Sequence, residues 1–258
     1  MESFNPFSLE GRTIIITGAS SGIGKQCAID CSKMGAKIIL IARNEERLKE
    51  TLSLMNNRDN HAYYLADFTQ LTNIADLIKE IVSANGKISG FIHAAGIELT
   101  KPLKLISIED YEKIFRINTL SGFEFIHQFS NKKNFEDGGH IVLISSITSI
   151  IGRGGVAAYS ASKGAMISAI RSMAIELSKK KICINCISPG TILTPLMANF
   201  LSTLSEEQYL KRVSGFPLGL GKCTDISNAC IYLLSDASQW ITGQNFIIDG
   251  GYTISIKP

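Results

Sequence analysis

The chain has 258 residues, enough for one large domain or two small ones, and 45% of them are hydrophobic, which suffices for a sizeable core. A formal net charge of +3, without a long run of lysine and arginine, argues against a nucleic-acid-binding protein. The N-terminus does not resemble a signal peptide, and no segment approaches the roughly 20 apolar residues of a membrane span. We therefore expect a cytoplasmic protein that binds neither nucleic acid nor membranes.

Short β-branched runs alternate with amphipathic helical patterns along the chain. Seven runs are predicted to be strands: 13–17, 37–42, 62–66, 90–95, 140–146, 181–187 and 245–249. Six segments are predicted to be helices: 22–34, 44–56, 70–85, 108–131, 157–179 and 223–235. Several strands are apolar throughout, as strands buried on both faces are, and the strand–helix–strand order indicates a parallel sheet. The sequence predicts one doubly wound α/β domain over 1–258, with a seven-stranded parallel sheet flanked by helices on both faces.

Residues 188–222 interrupt this alternation after the sixth predicted strand. The segment holds three prolines, several large apolar residues and a short helical pattern. Long excursions at the carboxyl end of a strand often form active-site lids, although a packing insertion is the alternative. We expect a substrate-binding lid here.

The six cysteines are expected to be reduced thiols. Cys183 and Cys186 form a CxxC pair, which can indicate a redox or zinc site. In a strand, however, positions three apart face opposite sides, and no second CxxC completes a zinc site. We interpret both thiols as core residues and predict no metal site.

A glycine-rich turn follows the first predicted strand. Its residues include Gly18, Ser20, Ser21, Gly22, Ile23 and Gly24, and it opens the first predicted helix. Glycines permit a tight turn and let backbone N–H groups approach a pyrophosphate, to which the helix N-terminus adds positive charge. On a strand–turn–helix this pattern predicts a dinucleotide site.

The end of the second predicted strand bears on the choice between NAD and NADP. An acidic residue there would bind the ribose 2′-hydroxyl, but the strand ends in Ala42-Arg43-Asn44. The Arg43 guanidinium suits a 2′-phosphate, unless it pairs with Glu45 or Glu46. We therefore expect NADP(H). After the third strand, Asp67 is a candidate acceptor for the adenine amino group or a helix cap.

Tyr159 and Lys163 are candidates for acid–base chemistry. Tyr159 is the one tyrosine of seven with a lysine four residues on, so a helix would place both side chains on one face. A neighbouring ammonium favours the phenolate, so we expect the pKa of Tyr159 to lie below its usual value of about 10. Ser146, at the end of the fifth predicted strand, is placed to donate to a substrate carbonyl.

These segments together resemble the short-chain dehydrogenase/reductase family over residues 9–253. The matching elements are TGxxxGIG at 17–24, a D-x-T-like element at 67–69, Ala95-Gly96, Asn118, Ser146, Tyr159-x-x-x-Lys163, Pro189-Gly190 and the C-terminal ITGQNFIIDGG. The resemblance implies a Rossmann-type fold and hydride transfer between a nicotinamide cofactor and a carbonyl/alcohol pair. Where family members often have Asn-Asn-Ala-Gly, this chain has His93-Ala94-Ala95-Gly96, and we interpret His93 as structural.

The resemblance also assigns roles to residues. Tyr159 is the expected acid in reduction and base in oxidation, with Lys163 lowering its pKa and binding the nicotinamide ribose. Ser146 is expected to polarise the carbonyl, and Asn118 to hold a water linked to Lys163. The expected cofactor contacts are Gly18, Ser20, Ser21, Gly22, Ile23, Gly24, Arg43, Asp67, Phe68, Ala95, Gly96, Tyr159, Lys163, Pro189, Gly190, Ile192 and Thr194.

The resemblance is compatible with more than one substrate class and more than one assembly. The resemblance includes 3-oxoacyl-[acyl-carrier-protein] reductases and sugar or polyol dehydrogenases. A non-catalytic NADP(H)-binding sensor and a nucleotide-sugar epimerase are weaker alternatives. An acidic carrier protein would need a basic patch near the site, with candidates Lys132, Lys133, Arg171 and 179–181, although Ile175 stands where such reductases often have a basic residue. Candidates for an apolar pocket are Met166, Met197, Phe200 and Phe216.

By resemblance we expect a homo-tetramer or homo-dimer.

Overall fold

A computed structural model describes residues 5–255, apart from the side chain of Lys211. Its strands are β1 (Thr13–Thr17), β2 (Lys37–Ala42), β3 (Ala62–Leu65), β4 (Ile88–His93), β5 (Phe135–Ile144), β6 (Cys183–Pro189) and β7 (Asn245–Ile248). They form one sheet in the order β3-β2-β1-β4-β5-β6-β7, and every neighbouring pair is parallel. The predicted doubly wound, seven-stranded parallel sheet is confirmed. All seven carboxyl ends therefore lie at one edge, with the order reversing between β1 and β4.

Nine α-helices connect or flank these strands in the described part of the chain. They are α1 (Gly22–Lys33), α2 (Glu45–Ser53), α3 (Ile74–Asn85), α4 (Ile108–Phe115), α5 (Ser121–Phe129), α6 (Ala157–Leu177), α7 (Pro195–Leu201), α8 (Glu206–Val213) and α9 (Cys223–Leu234). Helices α1, α2 and α9 cover one face of the sheet, and α3 to α6 cover the other. None of the helices between residues 5 and 255 is long and apolar enough to cross a membrane.

Two apolar cores follow from the alternation of side chains along the central strands. In β1, Ile14 and Ile16 enter the core under α1 and α9, whereas Ile15 enters the core under α3 and α5. All three are fully buried, which explains why this strand is continuously apolar. Cys183 and Cys186 are both buried in β6, as the core interpretation predicted.

Apart from shifts of a few residues at the ends of elements, the structure differs from the predicted elements in two places. The single helix predicted over 108–131 is divided by a π-helical turn, Arg116–Leu120, which lies between α4 and α5. Strand β5 begins at Phe135 rather than at 140, because Ile88 pairs with Phe135 before the register shifts. Neither the turn type nor the early pairing has a clear signature in hydrophobic periodicity.

The segment 188–222 contains two helices and is closed at its base. Helix α7 is capped by Thr194, whose hydroxyl accepts from the Met197 N–H at 3.2 Å, and α8 is capped by Ser205. Ile192 and Gly221 form a parallel bridge, with the Leu193 N–H donating to the Gly221 carbonyl at 2.8 Å. The excursion therefore leaves and re-enters the body at neighbouring points above β6.

Candidate active site

The glycine-rich turn lies between β1 and α1 at the carboxyl edge of the sheet. Gly18 has φ +69°, and a Cβ there would lie 2.8 Å from the Ala94 carbonyl carbon of the neighbouring crossover. A Cβ on Gly24 would overlap the Gly18 carbonyl oxygen. The turn therefore needs glycine at both positions to bring the backbone, and the positive N-terminus of α1, to the edge of the crevice.

A cavity of about 630 Å³ runs along this edge from the β2 end to the β6 end. Every residue that the sequence predicted as a cofactor contact lines it: Gly18, Ser20, Ser21, Gly22, Ile23, Gly24, Arg43, Asp67, Phe68, Ala95, Gly96, Tyr159, Lys163, Pro189, Gly190, Ile192 and Thr194. We refer to it as the nucleotide cavity. Its length, its glycine wall and its helix N-terminus fit a dinucleotide.

Two guanidiniums stand at the β2 end of the nucleotide cavity. Arg43 lines the wall and is exposed, and in the described structure its guanidinium pairs with neither Glu45 nor Glu46. Glu45 instead pairs with Lys49 at 2.7 Å and accepts from the Tyr63 hydroxyl at 2.8 Å. Arg47, one turn into α2, lines the same wall and was not predicted.

Asp67 lies at the same end but is held by its own turn. Its carboxylate accepts from the Thr69 backbone N–H at 3.0 Å, and this bond holds the pKa of Asp67 below its usual value. The following helix α3 is preceded by Asn73 at its N-cap position. The helix-cap alternative for Asp67 is therefore wrong, while its position on the cavity wall agrees with a contact to the adenine.

Ser146 and Tyr159 face each other at the other end of the nucleotide cavity. Ser146 follows β5, and its hydroxyl accepts from the Thr148 backbone N–H at 3.2 Å and from the Thr148 hydroxyl at 3.0 Å. Tyr159 lies in the first turn of α6. A hydrogen bond with Ser146 is among the interactions of the Tyr159 phenol. The strand end and the helix start thus bring the two hydroxyls together.

The expected lowering of the pKa of Tyr159 is wrong for the protein as it stands. Burial raises the pKa of Tyr159 to about 12, and the Glu98 carboxylate adds to the increase. The hydrogen bond with Ser146 and the charge of Arg153 oppose it without outweighing it. The low dielectric around the phenol disfavours the phenolate, and Tyr159 is protonated at neutral pH, as a phenol with the ordinary pKa of about 10 also is.

Lys163 lies beneath Tyr159 and is almost completely buried, with 4% of its surface exposed. Its ammonium lies 5.9 Å from the centroid of the Tyr159 ring and donates to the Ile144 carbonyl at 2.7 Å. Burial lowers the pKa of Lys163 to about 8. Lys163 therefore lies on the same face of α6 as Tyr159, as predicted. Burial disfavours the charged form of each group, so the two do not form a simple ion pair.

Asn118 lies in the π-helical turn next to this pair. Its side-chain amide makes two hydrogen bonds with the Ile97 backbone. Asn118 Oδ1 accepts from the Ile97 N–H at 2.8 Å, and Asn118 Nδ2 donates to the Ile97 carbonyl at 2.9 Å. It also donates to the Ser162 hydroxyl at 3.1 Å. A Cβ on Gly96 would lie 3.3 Å from Asn118 Oδ1 and 3.4 Å from Lys163 Nζ, so Gly96 separates the two closely spaced groups.

His93 supports this arrangement from below. Its Nδ1 pairs with the Thr17 hydroxyl at 2.9 Å, and its Nε2 pairs with the Asn118 backbone carbonyl at 3.1 Å. The ring is fully buried, and burial lowers the pKa of His93 to about 3. This agrees with the interpretation of His93 as a structural residue. Through its backbone bond it positions the turn that carries Asn118.

A second cavity, of about 800 Å³, opens on the far side of Ser146 and Tyr159. We refer to it as the substrate cavity. Its walls come from the segment after β5, from the 188–222 excursion and from the chain after β7, with the lining residues Thr148, Ile151, Met197, Gln208, Phe216, Tyr252 and Ser255 among them. Phe216 is stacked on Tyr252, with ring centroids 4.4 Å apart.

Three charged side chains line the substrate cavity among the residues that the structure describes, and sequence reasoning missed all of them. They are Glu98, Arg153 and Arg212. Glu98 follows β4, Arg153 precedes α6, and Arg212 lies in α8, so they come together only in the folded chain. The one available signal was their place after the carboxyl end of a strand, which many other residues share.

The proposed pocket and patch residues are only partly in place. Met197 and Phe216 line the substrate cavity, but Met166 is fully buried in the core under α6, and Phe200 lies outside the cavity wall. Lys132 and Lys133 immediately precede β5, and residues 179–181 precede β6. Those candidates for a basic patch therefore lie at the opposite edge of the parallel sheet from the site.

No group of residues between 5 and 255 is arranged to hold a metal ion.

Comparison with known proteins agrees with this geometry. A family model described as "Enoyl-(Acyl carrier protein) reductase" matches residues 18–253. A 3-oxoacyl-[acyl-carrier-protein] reductase of Buchnera aphidicola is 32% identical over 244 residues, 94% of this chain and 98% of the relative. A glucose 1-dehydrogenase of Gluconobacter oxydans is 30% identical over 250 residues, 95% of this chain and 92% of the relative.

The solved structures include a dehydrogenase/reductase from Sinorhizobium meliloti that superposes with a TM-score of 0.87. It is 27% identical and covers 96% of this chain and 97% of its own. The chain belongs to the short-chain dehydrogenase/reductase family. It is accordingly an oxidoreductase that uses a nicotinamide cofactor, NAD(H) or NADP(H), on a small-molecule or thioester substrate.

Proposed function

We propose that the protein is an NADP(H)-dependent oxidoreductase that interconverts a carbonyl compound and its secondary alcohol. The observation that carries the proposal is the meeting of the two cavities at Ser146 and Tyr159. A nucleotide in the first cavity and a carbonyl compound in the second would meet at Ser146 and Tyr159, the two hydroxyls that both walls share among the described residues. Such proximity converts a reaction between two molecules into one within a complex.

Residues of this chain handle the proton of the proposed reaction. The hydride is supplied by the nicotinamide when it is bound. Tyr159, which is protonated at neutral pH, donates to the carbonyl oxygen in reduction. Ser146 donates a hydrogen bond to the same oxygen and stabilises the charge that develops there.

Lys163 and Asn118 act behind Tyr159 in this proposal. Lys163 binds the nicotinamide ribose, and its ammonium favours negative charge on the phenol when the proton leaves. Asn118 holds a water that connects Lys163 to solvent. The rigid contacts of the Asn118 side chain with the Ile97 backbone keep this part of the π-turn in place beside Gly96.

The preference for NADP(H) over NAD(H) is supported by Arg43 and Arg47. Both guanidiniums line the β2 end of the nucleotide cavity, where the 2′-position of the adenosine ribose would lie. No carboxylate stands at the end of β2 to select the free hydroxyl. A guanidinium fork matches a phosphate and gains nothing comparable from a hydroxyl.

For the substrate, we propose a 3-oxoacyl thioester reductase as one candidate, because a reductase of that name is 32% identical over nearly the whole chain. A sugar or polyol dehydrogenase is the second candidate, supported by the glucose 1-dehydrogenase relative. The position of the lysine clusters at the opposite edge of the sheet weakens the case for a carrier protein docking through them.

The proposal also covers the surroundings of the site. The excursion 188–222 acts as a lid over the substrate, since its two short helices contribute Met197, Gln208 and Arg212 to the cavity wall. We further propose a cytoplasmic homo-tetramer or homo-dimer. Apolar side chains exposed near the C-terminus, Trp240, Ile247 and Ile254, supply one surface for assembly.

The test is the loss of near-ultraviolet absorbance of NADPH, and separately of NADH, with a panel of ketones, sugars and 3-oxoacyl thioesters. The proposal expects turnover with at least one carbonyl class and a higher kcat/KM with NADPH. Tight NADPH binding without turnover of any carbonyl or alcohol in the panel would contradict the catalytic proposal. Equal or better use of NADH would contradict the cofactor preference alone.

A further inference from the structure

The substrate cavity carries an excess of positive charge next to the reacting hydroxyls. Its charged lining residues, among those the structure describes, are Arg153, Arg212 and Glu98. Arg153 and Glu98 form an ion pair with a nitrogen–oxygen distance of 3.4 Å. Two guanidiniums and one carboxylate leave the cavity with one net positive charge.

Arg212 is the cavity guanidinium that forms no ion pair with a described residue. Its Nε is buried and has no hydrogen-bond partner among the described residues. Its guanidinium carbon lies 5.2 Å from the centroid of the Phe200 ring, and that ring provides a π face without a hydrogen-bond acceptor. A buried donor left unpaired is costly, so such a group is expected to meet an acceptor when the cavity is filled.

The electrostatic surroundings of Arg212 agree with a missing anion. Burial lowers the pKa of Arg212, and the nearby charge of Arg153 lowers it further, while Glu98 opposes both. The repulsion between the two guanidiniums would be relieved by a negative group between them. The same cavity wall includes neutral donors and acceptors on Thr148 and Gln208, with Ile151, Met197 and Phe216 supplying apolar surface.

We propose that the substrate carries a carboxylate, which Arg212 and Arg153 bind while Ser146 and Tyr159 engage the carbonyl, so that the protein interconverts oxo acids and hydroxy acids. This inference rests on the proposed oxidoreductase function, and it favours oxo acids over the thioester and sugar candidates named there. In reduction the carbonyl carbon gains a hydride from NADPH, which becomes NADP⁺, and the carbonyl oxygen gains the proton of Tyr159. A carboxylate has the single negative charge that balances the cavity and the planar geometry that a guanidinium fork binds with two hydrogen bonds.

The test compares oxo acids with their own methyl esters in steady-state kinetics with NADPH. The acids place the carbonyl at C2, C3, C4 or C5 of a six-carbon chain, so that the spacing between carbonyl and carboxylate is scanned. For the best spacing, we expect the acid to exceed its ester in kcat/KM by at least about 10-fold, the scale of a charge-assisted hydrogen bond. Equal or better turnover of the esters at every spacing would overturn the proposal and leave the oxidoreductase function intact.

Variants identify the residues responsible. Arg212→Gln is expected to lower kcat/KM for the acid by roughly 10- to 100-fold, mainly through KM, and to leave the ester almost unchanged. Arg212→Lys, which keeps the charge, should recover part of the loss. Glu98→Gln should lower KM for the acid, because it removes the carboxylate that competes with the substrate for Arg153. Arg58→Gln, a guanidinium before β3 at the opposite edge of the sheet, is the matched control.

A binding measurement separates this inference from the catalytic proposal. Hexanoate cannot be reduced, and its binding to the NADP⁺-loaded protein can be followed by calorimetry. We expect saturable binding that is retained in Tyr159→Phe and lost in Arg212→Gln. Binding of hexanoate without turnover of any carbonyl compound would refute the catalytic proposal alone. Absence of hexanoate binding, or a preference for a phosphate-bearing ketone over every oxo acid, would refute the carboxylate assignment.

Discussion

The two cavities that meet at Tyr159 are built in different ways. The nucleotide cavity is lined mainly by the segments that follow parallel strands, so the order of the sheet fixes their places on its wall. The substrate cavity joins segments around Glu98, Arg153, Arg212 and Tyr252, which are far apart along the chain. Backbone geometry shapes the first and side-chain charge shapes the second. One wall is therefore suited to a constant cofactor, and the other can change its ligand with a few substitutions.

The sharpest way to separate the two cavities is to remove one of the two hydroxyls they share. Tyr159→Phe deletes the proton donor without altering either the glycine turn or the arginines. We expect kcat to fall by about 10²- to 10⁴-fold, the usual contribution of a positioned acid, with NADPH affinity within a factor of about three. Stopped-flow turnover and fluorescence titration with NADPH measure the two effects. Near-normal turnover would show that another group supplies the proton.

Lys163 offers a pH-dependent test of how deeply the shared region is buried. Its pKa is about 8 in the folded protein and about 10.4 in an unfolded chain. Between these values the unfolded chain binds more protons than the folded one, so the free energy of unfolding rises with pH. Below pH 8 the burial cost is complete, on the order of 3 kcal/mol, and it disappears above about pH 10.

We therefore expect the wild type to gain about 3 kcal/mol relative to Lys163→Met as the pH rises from 7.5 to 10.5. Urea unfolding of the cofactor-free proteins at several pH values measures this difference. The charge of Lys163 also affects the pKa values of His93 and Cys186, but these lie at about 3 and about 12 in the folded protein, outside this range, so their contributions nearly cancel. A constant difference between the two proteins across this range would mean that Lys163 is not buried as described.

Sequence reasoning was more successful for the nucleotide cavity than for the substrate cavity, for a physical reason. All seven strands were identified because apolar runs such as 13–17 and 37–42 have no alternative to burial. The glycine turn and the Tyr159–Lys163 spacing were found because local geometry dictates them. Arg153 and Arg212 could not be found, because their places on one cavity wall depend on how the 188–222 excursion folds. The raised pKa of Tyr159 also depends on burial, which spacing alone does not reveal.

Charge reversal at the β2 end tests the role of side-chain charge in the nucleotide cavity. Arg43→Asp places a carboxylate where we propose the 2′-phosphate lies. We expect the Kd for NADPH to rise by roughly 10- to 100-fold and the Kd for NADH to stay within a factor of about three. Fluorescence titrations with both cofactors measure the change, and Lys49→Asp, in the following helix α2 and outside the cavity wall, is the control. An unchanged ratio of the two constants would remove Arg43 from the assignment.

The prediction with the smallest expected effect tests whether close backbone packing at the glycine turn shapes the wall of the nucleotide cavity. Gly24→Ala adds a single methyl group that would overlap the Gly18 carbonyl, and neither φ nor charge is altered. Forcing an extra carbon into a close-packed region costs about 1–3 kcal/mol, so we expect that loss in the free energy of unfolding, with weaker NADPH binding. Gly154→Ala, where a Cβ meets nothing within 4 Å, should change stability by less than about 0.5 kcal/mol. Similar stabilities of the two variants would mean that the turn can relax, and that its glycines are needed for the nucleotide more than for the fold.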